Sequence, residues 1–392
     1  MTKLEKLIQE LCPEGVEYKE ISEVTNYEQP SKYIVKSTAY RDEYEIPVLT
    51  AGQSFVLGYT DESDGVYPAS KATPVIIFDD FTAAFKWVVF PFKVKSSAMK
   101  IITVKEDSLL IRFLFHWMGV LNYSSTEHTR LWIGTYSKFR IPVPPLPVQR
   151  EIVRILDNFT ELTAELTAEL TARKRQYAYY RDKLLTFAAQ GETILTDKPN
   201  ALNRLCRYVS EFIFVKLSDI SVNCDNLRKP VTSGNREAGN IPYYGASGIV
   251  DYVKDYIFDG DYLLISEDGA NLLARNTPIA FSISGKNWVN NHAHILRFNN
   301  RITQRYVEIY LNSIDLSPYI SGGAQPKLNQ QNLYKIPIPL PSYQKQKEIV
   351  TILDRFDTLC TDLSSGLPAE IEARQKQYEY YRDKLLSFEE KI

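Results

Sequence analysis

The chain has 392 residues, and its 46 Lys and Arg against 48 Asp and Glu leave a formal net charge of −2. The length allows two or three domains, and the charge excludes a uniformly basic surface, so any DNA contact must rest on local charge placement. Four scattered cysteines (Cys12, Cys206, Cys224, Cys360) without a Cys-x-x-Cys exclude a disulfide frame or zinc knuckle, and no run of about 18 apolar residues occurs, so a soluble, cytoplasmic protein is expected.

In chain order, residues 1–16 hold a short helix, Leu4 to Leu11, ended by Cys-Pro-Glu-Gly. Tyr18-Lys-Glu-Ile opens a globular domain, and Phe214-Val-Lys-Leu opens a second one. Inside each, elements recur in the same order: Ile46-Pro-Val-Leu parallels Ile241-Pro-Tyr-Tyr, Pro74-Val-Ile-Ile-Phe parallels Tyr262-Leu-Leu-Ile-Ser, and Trp87-Val and Trp288-Val precede strands at Ser97-Ala-Met-Lys-Ile-Ile and His292-Ala-His-Ile-Leu. A helix follows in both, with Asp107 and Thr303 expected as N-caps. Ile141-Pro-Val-Pro and Ile336-Pro-Ile-Pro then lead into two long helices, the proline fixing the junction. The resulting boundaries are 1–16 (helical segment), 17–147 (first domain), 148–190 (long helix), 191–210 (linker), 211–341 (second domain) and 342–392 (second helix).

The long helices show most clearly that the chain is written twice. Glu151 to Phe159 and Glu348 to Phe356 share seven of nine residues, and Arg173 to Phe187 and Arg374 to Phe388 share eleven of fifteen. In the first copy Ile152, Ile155, Phe159, Leu162, Leu166, Leu170, Tyr177 and Leu184 keep helical spacing, a narrow stripe that calls for a partner helix. Its duplicate supplies Ile349, Ile352, Phe356, Tyr378 and Leu385, and is expected to break at Ser364-Ser-Gly-Leu-Pro368. Two Thr-Ala-Glu-Leu units stand in tandem at 163–170.

Acid is cleared from two corresponding stretches. Residues 81–105 carry Lys86, Lys93, Lys95, Lys100 and Lys105 and no Asp or Glu; residues 269–307 carry Arg275, Lys286, Arg297, Arg301, Arg305, His292 and His294, again with no acid. This pattern points to two anion-facing surfaces, with Tyr33, Tyr243, Tyr244 and Lys327 as further candidates for DNA contact. The competing reading is a strand with one solvated face. His292 and His294 lie two apart without a third metal ligand nearby, and Asp79-Asp80 and Glu267-Asp268 read as strand-end acids. Phosphate-loop, nucleophile-elbow and zinc-protease motifs are absent, so no catalytic residue is expected.

Ile-Pro-[Val/Ile]-Pro, Glu-Ile-Val-x-Ile-Leu-Asp-x-Phe and Gln-Tyr-x-Tyr-Tyr-Arg-Asp-Lys-Leu-Leu, each present twice, resemble the conserved regions of the specificity subunit of type I restriction-modification enzymes. Glu267-Asp-Gly-Ala-Asn and Gln325-Pro-Lys-Leu-Asn resemble that family's target recognition domains. The resemblance implies two α/β (α+β) target recognition domains in a tandem pseudo-symmetric duplication, separated by two long antiparallel coiled-coil helices. It implies a non-catalytic subunit whose domains each read half of a bipartite double-stranded DNA site. Its helices would set the spacer and dock two methyltransferase subunits, alongside a restriction or motor subunit. S-adenosylmethionine, ATP and Mg²⁺ would belong to those partners, and no cofactor or metal to this chain. A single-chain nuclease or methyltransferase, and a coiled-coil scaffold, remain the alternatives.

Overall fold

The computed structural model describes residues 1–50, 54–105, 107–121, 123, 129–185, 212–322 and 325–391. The expected linker, Cys206 and the helix end beyond Leu185 lie outside them. The described residues form two compact units, 1–167 with 369–392, and 168–368. Each joins one globular domain to the start of its own long helix and to the end of the other copy's helix.

In the first unit, α1 (Lys3–Leu11) is closed at its N-terminus by Thr2 and Glu5 in a reciprocal capping box. β1 (Tyr18–Glu20) pairs with β9 (Arg140–Pro142), so the domain begins and ends in one two-stranded ribbon. Between them lie two sheets. One has the order β2-β8-β5-β6 (Thr25–Glu28, Met99–Val104, Val75–Asp79, Phe85–Val88), all antiparallel; the other runs β4-β3-β7 (Val56–Thr60, Ile46–Leu49, Lys93–Val94), with β3 and β7 parallel. β5 is buried on both faces. Ile76 and Phe78 pack with α2 (Ile111–Leu121) and the long helix α3 (Leu146–Leu185), while Val75 and Ile77 pack towards Leu49, Phe92 and Val94. A strand covered on both sides loses the polar alternation of a half-exposed one.

The second unit repeats this plan. β10 (Phe212–Val215) pairs with β19 (Ile338–Pro341). An antiparallel sheet has the order β11-β18-β15-β16 (Ser221–Asn223, Ala293–Phe298, Tyr262–Ser266, Ala280–Ile283), and a second sheet runs β13-β12-β17-β14 (Gly248–Val253, Ala238–Gly245, Lys286–Val289, Phe258–Asp259), again with one parallel pair, β12 and β17. Leu263, Ile265 and Leu296 pack with α4 (Arg301–Ser313), α5 (Tyr343–Thr361) and Leu185. The second long helix does stop at Thr361 and resume as α6 (Leu367–Leu385), as Gly366 and Pro368 require. The expected caps are corrected. Asn300, three residues before Thr303, accepts the Thr303 N–H, and α2 starts four residues after Asp107.

Helix pairing follows the duplication crosswise. In the first unit Phe159 stacks on Tyr381 (5.4 Å, 18°); in the second its duplicate Phe356 stacks on Tyr180, the duplicate of Tyr381 (5.7 Å, 23°). Within the second unit Lys174 lies near Cys360, Tyr177 near Asp357 and Tyr180 on Phe356, so the two segments run antiparallel. Ile152 and Ile349 are buried; Ile155, Phe159, Tyr177, Leu184, Phe356, Tyr378 and Leu385 are half-buried, as are Leu162, Leu166 and Leu170 around the tandem repeat. Ile352 is 41% exposed and lies off the packed stripe.

Candidate nucleic-acid interface

Each domain is fixed to its helix by a buried glutamine. Gln149 accepts the N–H of Leu110 (2.8 Å), the residue before α2, and donates to the carbonyls of Ser108 and Pro144 (both 2.7 Å). Gln346 accepts from the Thr303 hydroxyl (2.8 Å) and donates to Pro341 (2.8 Å). Proline leaves carbonyls without a helical partner, and the glutamine satisfies them. Sequence reading missed these residues, although Gln recurs two positions before the shared Glu-Ile-Val in both copies.

Just above, an arginine on the domain helix reaches an aspartate of the long helix in both units: Arg112 to Asp157 (2.7 Å) and Arg305 to Asp354 (2.8 Å), with Arg305 also on Asp357 (2.7 Å). In the first unit His116 joins them. Its Nε2–H donates to Asp157 (2.8 Å) and its Nδ1 accepts from the Tyr378 hydroxyl (3.0 Å), so a neutral ring is satisfied. Burial pushes the Asp157 carboxyl up, but bonds from His116 and Arg112 hold it below the usual value; burial lowers His116.

The far end of each central sheet holds a second equivalent pair of sites. β5 pairs with β8 so that Phe78 faces Lys100, and β15 pairs with β18 so that Ile265 faces His294. Lys100 and His294 therefore occupy the same place. Lys100, 2% exposed, donates to Asp80 (3.2 Å) and to Gln29. His294, 1% exposed, lies against Asp225 (2.6 Å) and the Leu328 carbonyl (2.8 Å), with Glu267 at 3.8 Å. Both ring nitrogens of His294 thus face hydrogen-bond acceptors, a carboxylate on one side and a carbonyl on the other. Burial pushes Asp225 and Glu267 up, but His294 and Arg228 bring both below their ordinary values. Asp225, Glu267 and His294 present ligand-type atoms within 4.8 Å of one another, so His294 does have two further ligand-type neighbours, and Arg228 holds Glu267 at 2.6 Å in the same charged cluster.

The expected surface cations thus divide. Lys93 and Lys100 are corrected. Both are buried, Lys93 on Glu62 (3.0 Å) and the Asp64 carbonyl, because their strands are covered on both faces. His294, Tyr33 and Tyr243 are also interior: Tyr33 donates to Glu28 (3.1 Å), and the Tyr243 hydroxyl bonds the backbone of Val231 (3.0 Å) under the Arg236 guanidinium. Arg275 is half-buried in a left-handed conformation and donates to the Ile314 carbonyl, and Tyr244 is half-buried against Phe281. The surface keeps Lys86, Lys95 (over Tyr40), Lys286 (over Tyr256), Lys327 and His292. Asp79 caps its own turn through the N–H groups of Phe81 and Thr82, and Asp80 accepts from Trp132 N–H (2.8 Å).

On comparison with known proteins, the family described as Type I restriction modification DNA specificity domain matches residues 13–173 and 210–373. The chain is 40% identical over 421 aligned residues to the Escherichia coli type I restriction enzyme EcoR124I/EcoR124II specificity subunit, covering 99% of this chain and 97% of that one. A crystal structure of a type I restriction-modification S subunit from M. genitalium superposes with a TM-score of 0.62 at 15% identity, covering 95% of this chain and 96% of that one. A chain from a structure described as concerning complex assembly and conformational transition of the type I R-M system gives 0.53 at 15% identity, over 96% and 98%. At that identity the two solved chains speak for the fold alone.

Proposed function

The chain belongs to the type I restriction-modification DNA specificity family, and from that premise we propose how its parts divide the work. It is a specificity subunit whose pair of domains reads a bipartite DNA target. The observation that carries this reading is a frame built twice, with the same ribbon, glutamine and arginine–aspartate anchors, on which the exposed side chains differ. Two recognition tasks with one mechanical attachment need that combination.

In this reading the chain does no covalent chemistry; S-adenosylmethionine, ATP and Mg²⁺ serve methyltransferase and restriction subunits bound to it. Phosphate contacts fall on Lys86 and Lys95 in the first domain and Lys286 and Lys327 in the second. Two methyltransferase subunits dock on the twice-written Tyr-Tyr-Arg-Asp-Lys faces. Support comes from Tyr179 and Tyr380, which are 60% and 61% exposed and are each flanked by the same lysine (Lys183, Lys384), more apolar surface than the fold itself uses.

The division between units falls at residues 167/168, inside the Thr-Ala-Glu-Leu repeat, and at 368/369, beside the Gly-Leu-Pro break. We assign spacer length to this stretch. One added unit lengthens a helix by roughly 6 Å and turns it by about 40°; one base pair advances about 3.4 Å and turns about 35°. Rotation decides, because a domain turned from the groove cannot read it. Mapping methylated sites for chains with one, two and three units tests the assignment together with the function. The expected outcome is one additional base pair between unchanged half-sites for each unit, and identical spacing in all three contradicts it.

A further inference from the structure

The equivalence of Lys100 and His294 brings other positions into correspondence. Asp80 N–H donates to the Ala98 carbonyl (3.0 Å) and Leu131 N–H to the Asp80 carbonyl (2.8 Å); Glu267 N–H donates to His292 (2.9 Å) and Leu328 N–H to Glu267 (2.8 Å). One backbone frame therefore joins a strand end, the start of the neighbouring strand and a later loop in both domains. The side chains on it differ: half-buried Phe81 against half-buried Asp268, half-buried Ala98 against exposed His292, and exposed Arg130 against exposed Lys327. Divergent side chains on an identical frame are what two readers of different half-sites require.

In the second domain these positions gather into a cleft. Asp268, His292, Gln325 and Lys327 line it, together with Gly269 and Pro326, whose backbones are hydrogen-bonded across it (3.2 Å). Gly269 has φ +104°, a conformation that L side chains rarely adopt, and a Cβ there would meet nothing within 4 Å, so the loop keeps its turn and stays open. Asp268 takes the His292 Nδ1–H at 2.9 Å and so orients the outer Nε2 of the ring. Gln325 is exposed and its amide offers a donor beside an acceptor, the pair that matches adenine N6 and N7 in the major groove. Beneath lies the charged cluster of Asp225, Arg228, Glu267 and His294, and Lys327 shares Glu267 with it (3.2 Å). A rigid charged floor under mobile-length polar side chains keeps recognition groups within the narrow geometry that base reading needs.

We propose that this cleft is the base-reading site of the second domain, with Gln325 addressing an adenine and Asp268 and His292 a neighbouring base edge. The proposal rests on the specificity reading given above. Its test uses the chain in complex with its methyltransferase subunits, mapping methylated sites for wild type, Gln325→Ala, Asp268→Asn, His292→Ala and His294→Lys, the last borrowing the first domain's cation. The three cleft variants should lose about ten- to a hundredfold discrimination at one or two base pairs of one half-site. The other half-site and the spacer stay unchanged, and His294→Lys keeps the wild-type motif. Three cleft variants with unaltered base frequencies would overturn the proposal, as would a uniform loss of binding to all sequences at unchanged melting temperature, which marks backbone anchoring. A wild-type complex that methylates no bipartite motif would instead overturn the specificity reading itself, so the two failures are distinguishable.

Discussion

The first domain closes the end of its central sheet with Lys100 on Asp80 and Gln29; the second closes the same place with His294 between Asp225 and the Leu328 carbonyl. The backbone hydrogen bonds around the two are the same, and the chemistry differs. Lys100 meets one carboxylate and an amide; the flat ring of His294 meets an acceptor on each side, the Asp225 carboxylate and a backbone carbonyl, with a further acid, Glu267, held by Arg228. The position takes a buried nitrogen-bearing side chain with acidic partners rather than one particular residue. Specificity lies on the surface above it.

That comparison can be broken most forcefully by removing the cation. Lys100→Ala leaves Asp80 buried and unpaired and should destabilise the first domain by about 3–5 kcal/mol. Thermal or denaturant unfolding measures it, and a loss below about 1 kcal/mol would mean that the pair is dispensable.

A smaller effect separates the histidines. His116 is neutral and its pKa is lowered by burial among Asp157, Arg112, Arg382 and Tyr378. Above about pH 6.5 both folded and unfolded forms are neutral there; as the pH falls below that value the unfolded chain takes up a proton that the fold resists, so the stability is lost on acidification. The depressed carboxyl of Asp157 adds to the loss in the same direction, nearer pH 4. His116→Gln should flatten the melting temperature between about pH 7 and 5; a profile parallel to wild type contradicts this. The smallest effects on stability belong to Lys86, Lys95 and Lys286. Alanine at any of them should change stability by less than about 0.5 kcal/mol while lowering the salt slope of DNA binding by about one. Slopes unchanged in all three variants would remove them from the interface.

The duplication, the helix break at Gly366-Leu-Pro368 and the strands beginning near Ile46, Val75 and Met99 were legible in the sequence, because repeats, helical periodicity and apolar runs are local signals, whereas the order of strands within each sheet was not. The location of the lysines was not. On β8 Met99 and Ile101 face one side while Lys100 and Ile102 face the other, and both sides are covered. Alternation distinguishes two faces of a strand without saying that either meets water, so Lys93, Lys100 and His294 read as surface cations. The available clue was Asp80, an acid after an apolar run, whose partner had to be a nearby cation. The cleft was half legible. His292 and Lys327 stood out as cations, and Glu267-Asp268 and Gln325-Pro-Lys as motifs, while their meeting in one cleft depends on pairing between residues distant in the chain.

The central claim is that each domain reads its own half of the target. Exchanging residues 17–140 for the corresponding domain of another family member, and mapping methylation by the assembled complex, tests it directly. The account predicts a new first half-site with the spacer and second half-site unchanged; a change in both half-sites would contradict it.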